Sequence, residues 1–432
     1  MTEPDHLEDA TIPGEPLKEG PPKGALRAIF LIVLADLLGF SVIIPLLPFW
    51  ALKYNASAFQ VGLLFSVYSI CQLIGSPLLG LISDRYGRRP VLIASQVGSV
   101  AGFILLGVAT SGDWASPGLG LTLVYLSRVI DGLSGGNIST AQAYISDVTT
   151  AQDRAKGMGL IGAAFGIGFT IGPALGGILG HFAVSLPAYA AALFCAIAAW
   201  QTWKFLPESH RHVHSEESEA WLHPSRFLPI LRNPVLVQML LIFFFSMMAF
   251  VMMEATFALF MKSTFGYEQL AVGLLFALAG ITIAVVQGRL VGKWSKRFGE
   301  WPLVIAGPVL VASAMLLLVV VGYKPLIVFV VIALITNATG RSLQTPTLSA
   351  LISHHSDPKQ QGTVFGLFHM LGSLSRAIGP AVAGAVFTKH HVAPFLMASA
   401  ITAAVAVWTV ALRWRVRAGE ERRGFDVEPV AS

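Results

Sequence analysis

The chain has 432 residues, of which 54% are hydrophobic and only 12% charged, with a formal net charge of +5 and a mean hydropathy of +0.69. Soluble domains carry about a quarter charged residues, so half that share excludes an ordinary water-soluble globule and makes lipid the main solvent. Apolar runs fill most of the length and leave no room for a separate ATPase domain.

In chain order, residues 1–26 are polar and acidic with no apolar core, which predicts a tail and not a cleavable signal. Six apolar spans follow at 27–49, 60–82, 90–110, 119–145, 157–180 and 186–206, each long enough to cross roughly 30 Å of hydrocarbon. Span 1 then serves as the uncleaved insertion signal. Residues 207–233 form the only long polar segment between spans, and six more spans follow at 234–260, 269–292, 301–321, 325–352, 362–387 and 393–413. A polar tail, 414–432, closes the chain. The expected fold is an all-α integral membrane protein of twelve transmembrane helices, with six-helix units at 27–206 and 234–413.

Of the 29 lysines and arginines, 21 fall in the two tails and the loops on the same side, against four in the opposite loops and four within spans. By the positive-inside rule both termini are expected in the cytoplasm, and the net charge reflects this bias and not nucleic-acid binding. Cys71 and Cys195 both lie inside apolar spans, so no disulfide framework is expected. No P-loop and no nucleophile–base set is present, which points away from an enzyme and from any cofactor. His210, His212 and His214 fall in the polar central loop and are not read as a metal site.

The two halves repeat each other. Gln60-Val-Gly-Leu-Leu-Phe65 recurs as Val-Gly-Leu-Leu-Phe ending at Phe276, and the Gly80–Pro90 segment recurs in degenerate form as Gly292–Pro302. Gly172-Pro173 recurs as Gly379-Pro380. Parallel halves related about the membrane normal place a binding cavity at their interface near the bilayer midplane.

These residues carry a resemblance. Gly80-Leu-Ile-Ser-Asp84-Arg85-Tyr-Gly87-Arg88-Arg89 resembles the loop 2–3 signature of the major facilitator superfamily. Arg128-Val-Ile-Asp-Gly132 resembles its helix-4 signature, and Gly168-Phe-Thr-Ile-Gly172-Pro173-Ala-Leu-Gly176-Gly177 the helix-5 motif of its antiporters. The Asp36–Pro48 segment is similar to helix 1 of tetracycline exporters within the twelve-helix drug:proton antiporter group. The resemblance implies an exchanger of protons for a small molecule; short loops and compact ends point to a bacterial cytoplasmic membrane, and a complete pathway within one chain points to a monomer. It also implies a tightly sealed seam between helices 5 and 11, with Gly379-Pro380 as the opposing surface.

The motifs have physical readings of their own. Asp84 can pair with a nearby arginine or a helix N-terminus, and Arg88 can reach an acid on span 4 such as Asp147; such pairs can latch one conformational state. Lys296 replaces Asp84 in the degenerate copy, which implies a weaker second latch. Gly168, Gly172, Gly176 and Gly180 repeat every four residues and allow two backbones to approach, while Pro173 permits bending.

Ionisable residues inside the spans are the sharpest signal, because a buried charge is costly unless paired or hydrated. Asp36 in span 1 reads either as a proton carrier or as a hydrogen-bonding partner of a neighbouring helix. Arg128 and Asp131 are three residues apart and can pair on one face, either neutralising Arg128 or adding a second titrating acid. Phe243, Met247, Phe250, Glu254, Phe257 and Met261 form a stripe at helical spacing on span 7, which suits an amphiphilic ligand or, in the simpler reading, packing. Tyr68 and Gln72 on span 2, and Asn337, Arg341 and Gln344 on span 10, are further candidates for the cavity wall. The sequence thus points to proton-coupled export of hydrophobic or amphiphilic molecules, with uptake of a nutrient or organic anion as the alternative.

Overall fold

In the computed structural model, residues 25–209 and 228–422 are described, apart from 113, 115, 150, 358 and 359. Most of both predicted tails and of the 207–233 segment, with its three histidines, lies outside the described residues. Among those described there is no strand. The first half comprises α1 (Ala25–Ile43), α2 (Leu47–Lys53), α3 (Ala58–Tyr86), α4 (Arg88–Ser111), α5 (Pro117–Ser134), α6 (Asn137–Val148), α7 (Ala151–Phe182) and α8 (Leu186–Phe205). The second comprises a short α9 (Leu228–Leu231), α10 (Pro234–Phe265), α11 (Gln269–Val285), α12 (Gly292–Phe298), α13 (Glu300–Tyr323), α14 (Ile327–His354), α15 (Gln361–Phe387) and α16 (Ala393–Arg422). A π-helical stretch, Val286–Val291, joins α11 to α12.

Among the described residues, ten helices or continuous helical runs are long and apolar enough to cross a membrane. The α5–α6 pair and α8 supply the other two of the twelve crossings. The helices outlast most predicted spans because their polar ends are capped. Ser57 and Gln60 form a reciprocal capping box at the start of α3. Asn233 accepts the Val235 and Leu236 amides at the start of α10, which Gly266 closes in the left-handed region at φ 67°.

The fourth crossing breaks at Gly135-Gly136. A break in lipid leaves carbonyls that must be satisfied internally. Here Ser95 Oγ donates to the Ser134 carbonyl at 2.7 Å and Gln72 Nε2 to the Gly135 carbonyl at 3.0 Å. Close packing of α3 holds the break in place, since a β-carbon on Gly136 would lie 2.6 Å from the Ser76 backbone.

The halves pack alike. α1 packs on α7 and α8 as α10 packs on α15 and α16; α4 packs on α5 and α8 as α13 packs on α14 and α16. This is the two-bundle architecture that the internal repeats predict.

The expected seam is corrected by the structure. α7 does not face α15 across the bundle interface: it packs on α11, while α15 packs on α3. The motif glycines divide between two partners. Gly168, Gly172 and Gly176 press against Leu37, Ser41 and Val42 of α1, and Gly177 against Gly273 and Gln269 of α11. Gly379 faces Val251 and Met248 of α10 within its own half. Proline and glycine thus make two seams of the same design instead of one.

Both seams are tight at one end only. Toward the end that carries the α1–α3 connection, Gly62, Gly384, Gly177 and Gly273 all meet the opposite bundle's backbone. Toward the end that carries the α3–α4 turn, a β-carbon at Gly80, Gly159, Gly166, Gly288, Gly292, Gly362 or Gly366 would meet nothing within 4 Å. The space between the bundles therefore opens toward the α3–α4 turn. Gly80, which opens the loop 2–3 signature, lies in that open part.

Candidate functional site

A cavity of about 320 Å³ lies between the halves and is lined equally by both. The first half contributes Phe40, Leu64, Phe65, Tyr68, Arg128 and Phe169 among others; the second contributes Met247, Phe250, Glu254, Gln287, Arg341 and Arg376. Aromatic, methionine and aliphatic side chains together make most of the wall, with few charges set into it. That composition suits an amphiphilic molecule.

The span-7 stripe, carried by α10, divides by height. Met247, Phe250 and Glu254 face the cavity, but Phe243 and Phe257 do not. Phe243 stacks on Phe368 at 3.6 Å between ring centroids, and Phe257 is fully buried edge-on to Phe276. The cavity spans only about two helical turns, so residues beyond those turns pack against α15 and α11 instead. The same correction applies on α14. Arg341 lines the cavity, while Asn337 and Gln344 are buried off it. Gln344 Nε2 donates to Ser246 Oγ at 2.7 Å and ties α14 to α10.

Arg341 is held by apolar neighbours. Its guanidinium lies 3.3 Å from the Phe250 ring centroid and 3.9 Å from the Met247 sulfur. Cation–π contact of this kind fixes a desolvated guanidinium without neutralising it. Neither Arg341 nor Arg376 makes an ion pair within 4 Å among the described residues.

A second, smaller cavity of about 70 Å³ adjoins the first and is lined by Asp36, Gln72, Ser99, Asp131 and Asn137, with Tyr68 and Arg376 at its edge. Asp36 sits here and not in the central cavity. Its carboxylate accepts from Gln96 Nε2 at 3.0 Å and from Asn137 Nδ2, with the Cys195 thiol 3.8 Å away. Gln72, expected on the central wall, lines this chamber and donates to Tyr68 Oη at 3.2 Å. Asn137 is the first residue of α6, so the Gly135-Gly136 break delivers it to Asp36. No apolar or charge pattern in the sequence marks Asn137 as a partner of Asp36.

Arg128 and Asp131 pair at 3.2 Å, 2% and 4% exposed, with Arg128 also 5.6 Å from the Phe103 ring centroid. Burying one of these charges alone would be costly, and the i,i+3 spacing allows the partner to come from the same helix.

At the α3–α4 turn, Arg88 pairs with Asp84 at 2.5 Å and with Asp147 at 3.2 Å, and donates to Ser83 Oγ at 2.6 Å. Gly87 turns the chain at φ 100°, where a side chain would be strained. The start of α4 is occupied by Glu208, which accepts the Arg88 amide at 2.8 Å and the Arg89 amide at 3.1 Å. Asp84 therefore serves Arg88 and not the helix N-terminus. Arg89 donates to the Trp203 carbonyl, and Arg85 lies over the Tyr86 ring. Among the described residues, every partner of this cluster belongs to the first half except Glu208, which lies in the segment between the halves.

Two six-helix bundles around a shared, membrane-embedded cavity define a carrier of small molecules, not an enzyme. Comparison with known sequences agrees: the pattern of the Major Facilitator Superfamily matches residues 29–380, with a further match over 290–429, and the chain belongs to that family. It is 29% identical to the class C tetracycline resistance protein of Escherichia coli over 84% of this chain and 89% of that one. It is 30% identical to multidrug resistance protein 2 of Bacillus subtilis over 86% of this chain and 92% of that one. The crystal structure of the human organic anion transporter MFSD10 (TETRAN) superposes with a TM-score of 0.65 at 26% identity, covering 90% of this chain and all of that one.

Proposed function

We propose that this protein exports hydrophobic or amphiphilic small molecules in exchange for protons. The observation that carries this reading is the placement of acids around an aromatic–methionine cavity shared by both bundles: Glu254 in its wall, and Asp36 with Asp131 in the adjoining chamber. Resemblance to tetracycline and multidrug resistance proteins supports the drug-like class. The units 27–206 and 234–413 rock about the cavity as rigid bodies within one chain, exposing it to one side at a time. Both termini face the cytoplasm of a bacterial inner membrane, as the lysine and arginine bias favours. The open end described above is then the cytoplasmic one, and the cluster of Asp84, Arg88 and Asp147 shapes the first bundle's side of that gate.

In the exchange, an outward-facing carrier releases substrate and takes up a proton; return to the inward-facing state releases the proton and admits new substrate. The test is proton movement in proteoliposomes under an imposed pH gradient, with tetraphenylphosphonium and naphthalene sulfonate as paired lipophilic cation and anion probes. Substrate-triggered proton flux opposite to the probe, lost in Asp36→Asn or Glu254→Gln, supports exchange. Flux in the same direction overturns it.

One observation favours a second reading, carriage of organic anions. The central cavity is lined by Arg341 and Arg376, unpaired by any acid within 4 Å, against a single Glu254, since Arg128 is already matched by Asp131. Co-directional movement of protons and naphthalene sulfonate would establish it.

A further inference from the structure

One charged side chain lines both cavities. Arg376 of α15 borders the central cavity with Glu254 and the smaller chamber with Asp36 and Asp131, and among the described residues it is the only one of the second half in that chamber's wall. Between the two spaces stand Phe40, Tyr68 and Phe169, with Phe40 stacked on Tyr68 at 4.9 Å between centroids. The partition is therefore aromatic, and the only side chain at it with a full charge comes from the opposite bundle. α15 reaches this place because it packs on α3 across the seam through Pro380 and Gly62.

The other charged or titratable groups facing Arg376 come from every neighbouring helix that lines these spaces. Glu254 comes from α10, Arg341 from α14, Tyr68 from α3, Asp36 from α1, and Arg128 with Asp131 from α5. His369 lies two turns away on α15 itself. Helix α16, also packed on α15, places no residue in either wall. Arg128 is committed to Asp131, and Arg341 is seated on Phe250 away from the chamber wall. Arg376 is thus the cation available to the chamber acids from the second bundle.

We propose that Arg376 is a positioning residue that sets, from the second bundle, the proton occupancy of the Asp36–Asp131 chamber in the first. The inference rests on the proton-exchange reading and adds the link between its two acid sites. A guanidinium near a carboxylate favours the ionised form. Moving a unit charge from about 10 Å to about 6 Å at an effective dielectric of about 20 changes proton affinity by roughly fivefold to tenfold. Because Arg376 and the chamber acids belong to different bundles, the rocking that opens or closes the cavity changes their separation. The same motion would carry the cation's influence between the chamber and Glu254. Proton release and bundle rotation then become one event.

The experiment is an infrared titration of the purified full-length protein, following the carbonyl stretch of protonated carboxyl groups against pH. Asp36→Asn, Asp131→Asn and Glu254→Gln assign the bands. In Arg376→Gln the bands assigned to the chamber acids should titrate about one pH unit higher, and Arg376→Lys should restore most of the shift. Glu254→Gln combined with Arg376→Gln removes opposite charges together; it should show the same chamber shift and serves if the single variant does not fold. Unshifted chamber bands in a folded Arg376→Gln or double variant would overturn the inference while leaving exchange intact. Absence of any titrating band sensitive to the three acid substitutions would instead overturn the exchange reading.

Discussion

The carbonyl oxygen of Pro173 lies 2.7 Å from the point where a β-carbon on Gly273 would sit, so the first bundle's proline bend rests directly on bare backbone of the second. The internal repeat makes the same contact again: the copy of Pro173 is Pro380, and its carbonyl faces Gly62, the copy of Gly273. Each seam is thus built from one repeat's proline and the other repeat's glycine, crossed between bundles. Glycine is required because any side chain would enter a space already filled by backbone, which has no rotamer with which to yield.

Gly273→Leu should therefore force the two bundles apart at the tight end. An overpacked site costs about 1–3 kcal/mol, which should appear as a lower melting temperature in detergent together with loss of transport. Gly288→Ala, on the same helical run but facing open space, should melt like the wild type. Equal stability of Gly273→Leu and wild type would mean that the seam is not a close contact.

The buried pair on α5 makes an asymmetric prediction. Asp131→Asn leaves Arg128 charged among apolar neighbours, and breaking a buried pair from one side costs about 3–5 kcal/mol. Replacing both, as Arg128→Met with Asp131→Leu, should recover most of the melting temperature. If the pair is purely structural, the double variant also transports. Loss of transport with recovered stability assigns the pair a part in the cycle.

How much of this was legible in the sequence follows from the range of each interaction. The apolar spans and the repeats are local, so the twelve crossings and two-bundle plan could be read directly. So could the Arg128–Asp131 pair, because three residues on one helix bring the side chains together whatever the tertiary fold. The partner of helix 5 could not be read: its glycines announce a close approach but do not say to which helix, and α1 and α11 both use them. Phe243 and Phe257 share a face with Glu254, yet periodicity gives direction around a helix and not height along it. Asn137 was hidden for a third reason. Its contact with Asp36 depends on the break at Gly135-Gly136, which no apolar pattern marks, although the paired glycines were a signal that the helix could stop there.

Glu208 gives a prediction about the α3–α4 turn. Its carboxylate accepts the first two amides of α4, so Glu208→Ala should fray that end. A cap of this kind is worth about 1 kcal/mol, and the Arg88 and Arg89 amides should exchange hydrogen several-fold faster. Asp147→Asn should leave those amides protected while loosening the Arg88 side chain. Unchanged exchange in Glu208→Ala would show that the turn is held by Gly87 and the arginine pairs alone.

Asn137 gives the sharpest test of the acid chamber. It donates to Asp36 from the first turn of α6, and Gln96 donates to the same carboxylate from α4. Hydrogen bonds to an ionised carboxylate favour that form, so each donor eases proton release from Asp36. Asn137→Ala should move the pH of half-maximal exchange upward by about one unit, measured with a pH dye trapped in proteoliposomes. Gln96→Ala should move it in the same direction, since Gln96 donates to the same carboxylate. Asp36→Asn should abolish the proton signal, and adding Asn137→Ala to it should then change nothing further. Additive losses in that combination would place Asn137 outside the proton site and leave it a brace for the helix break.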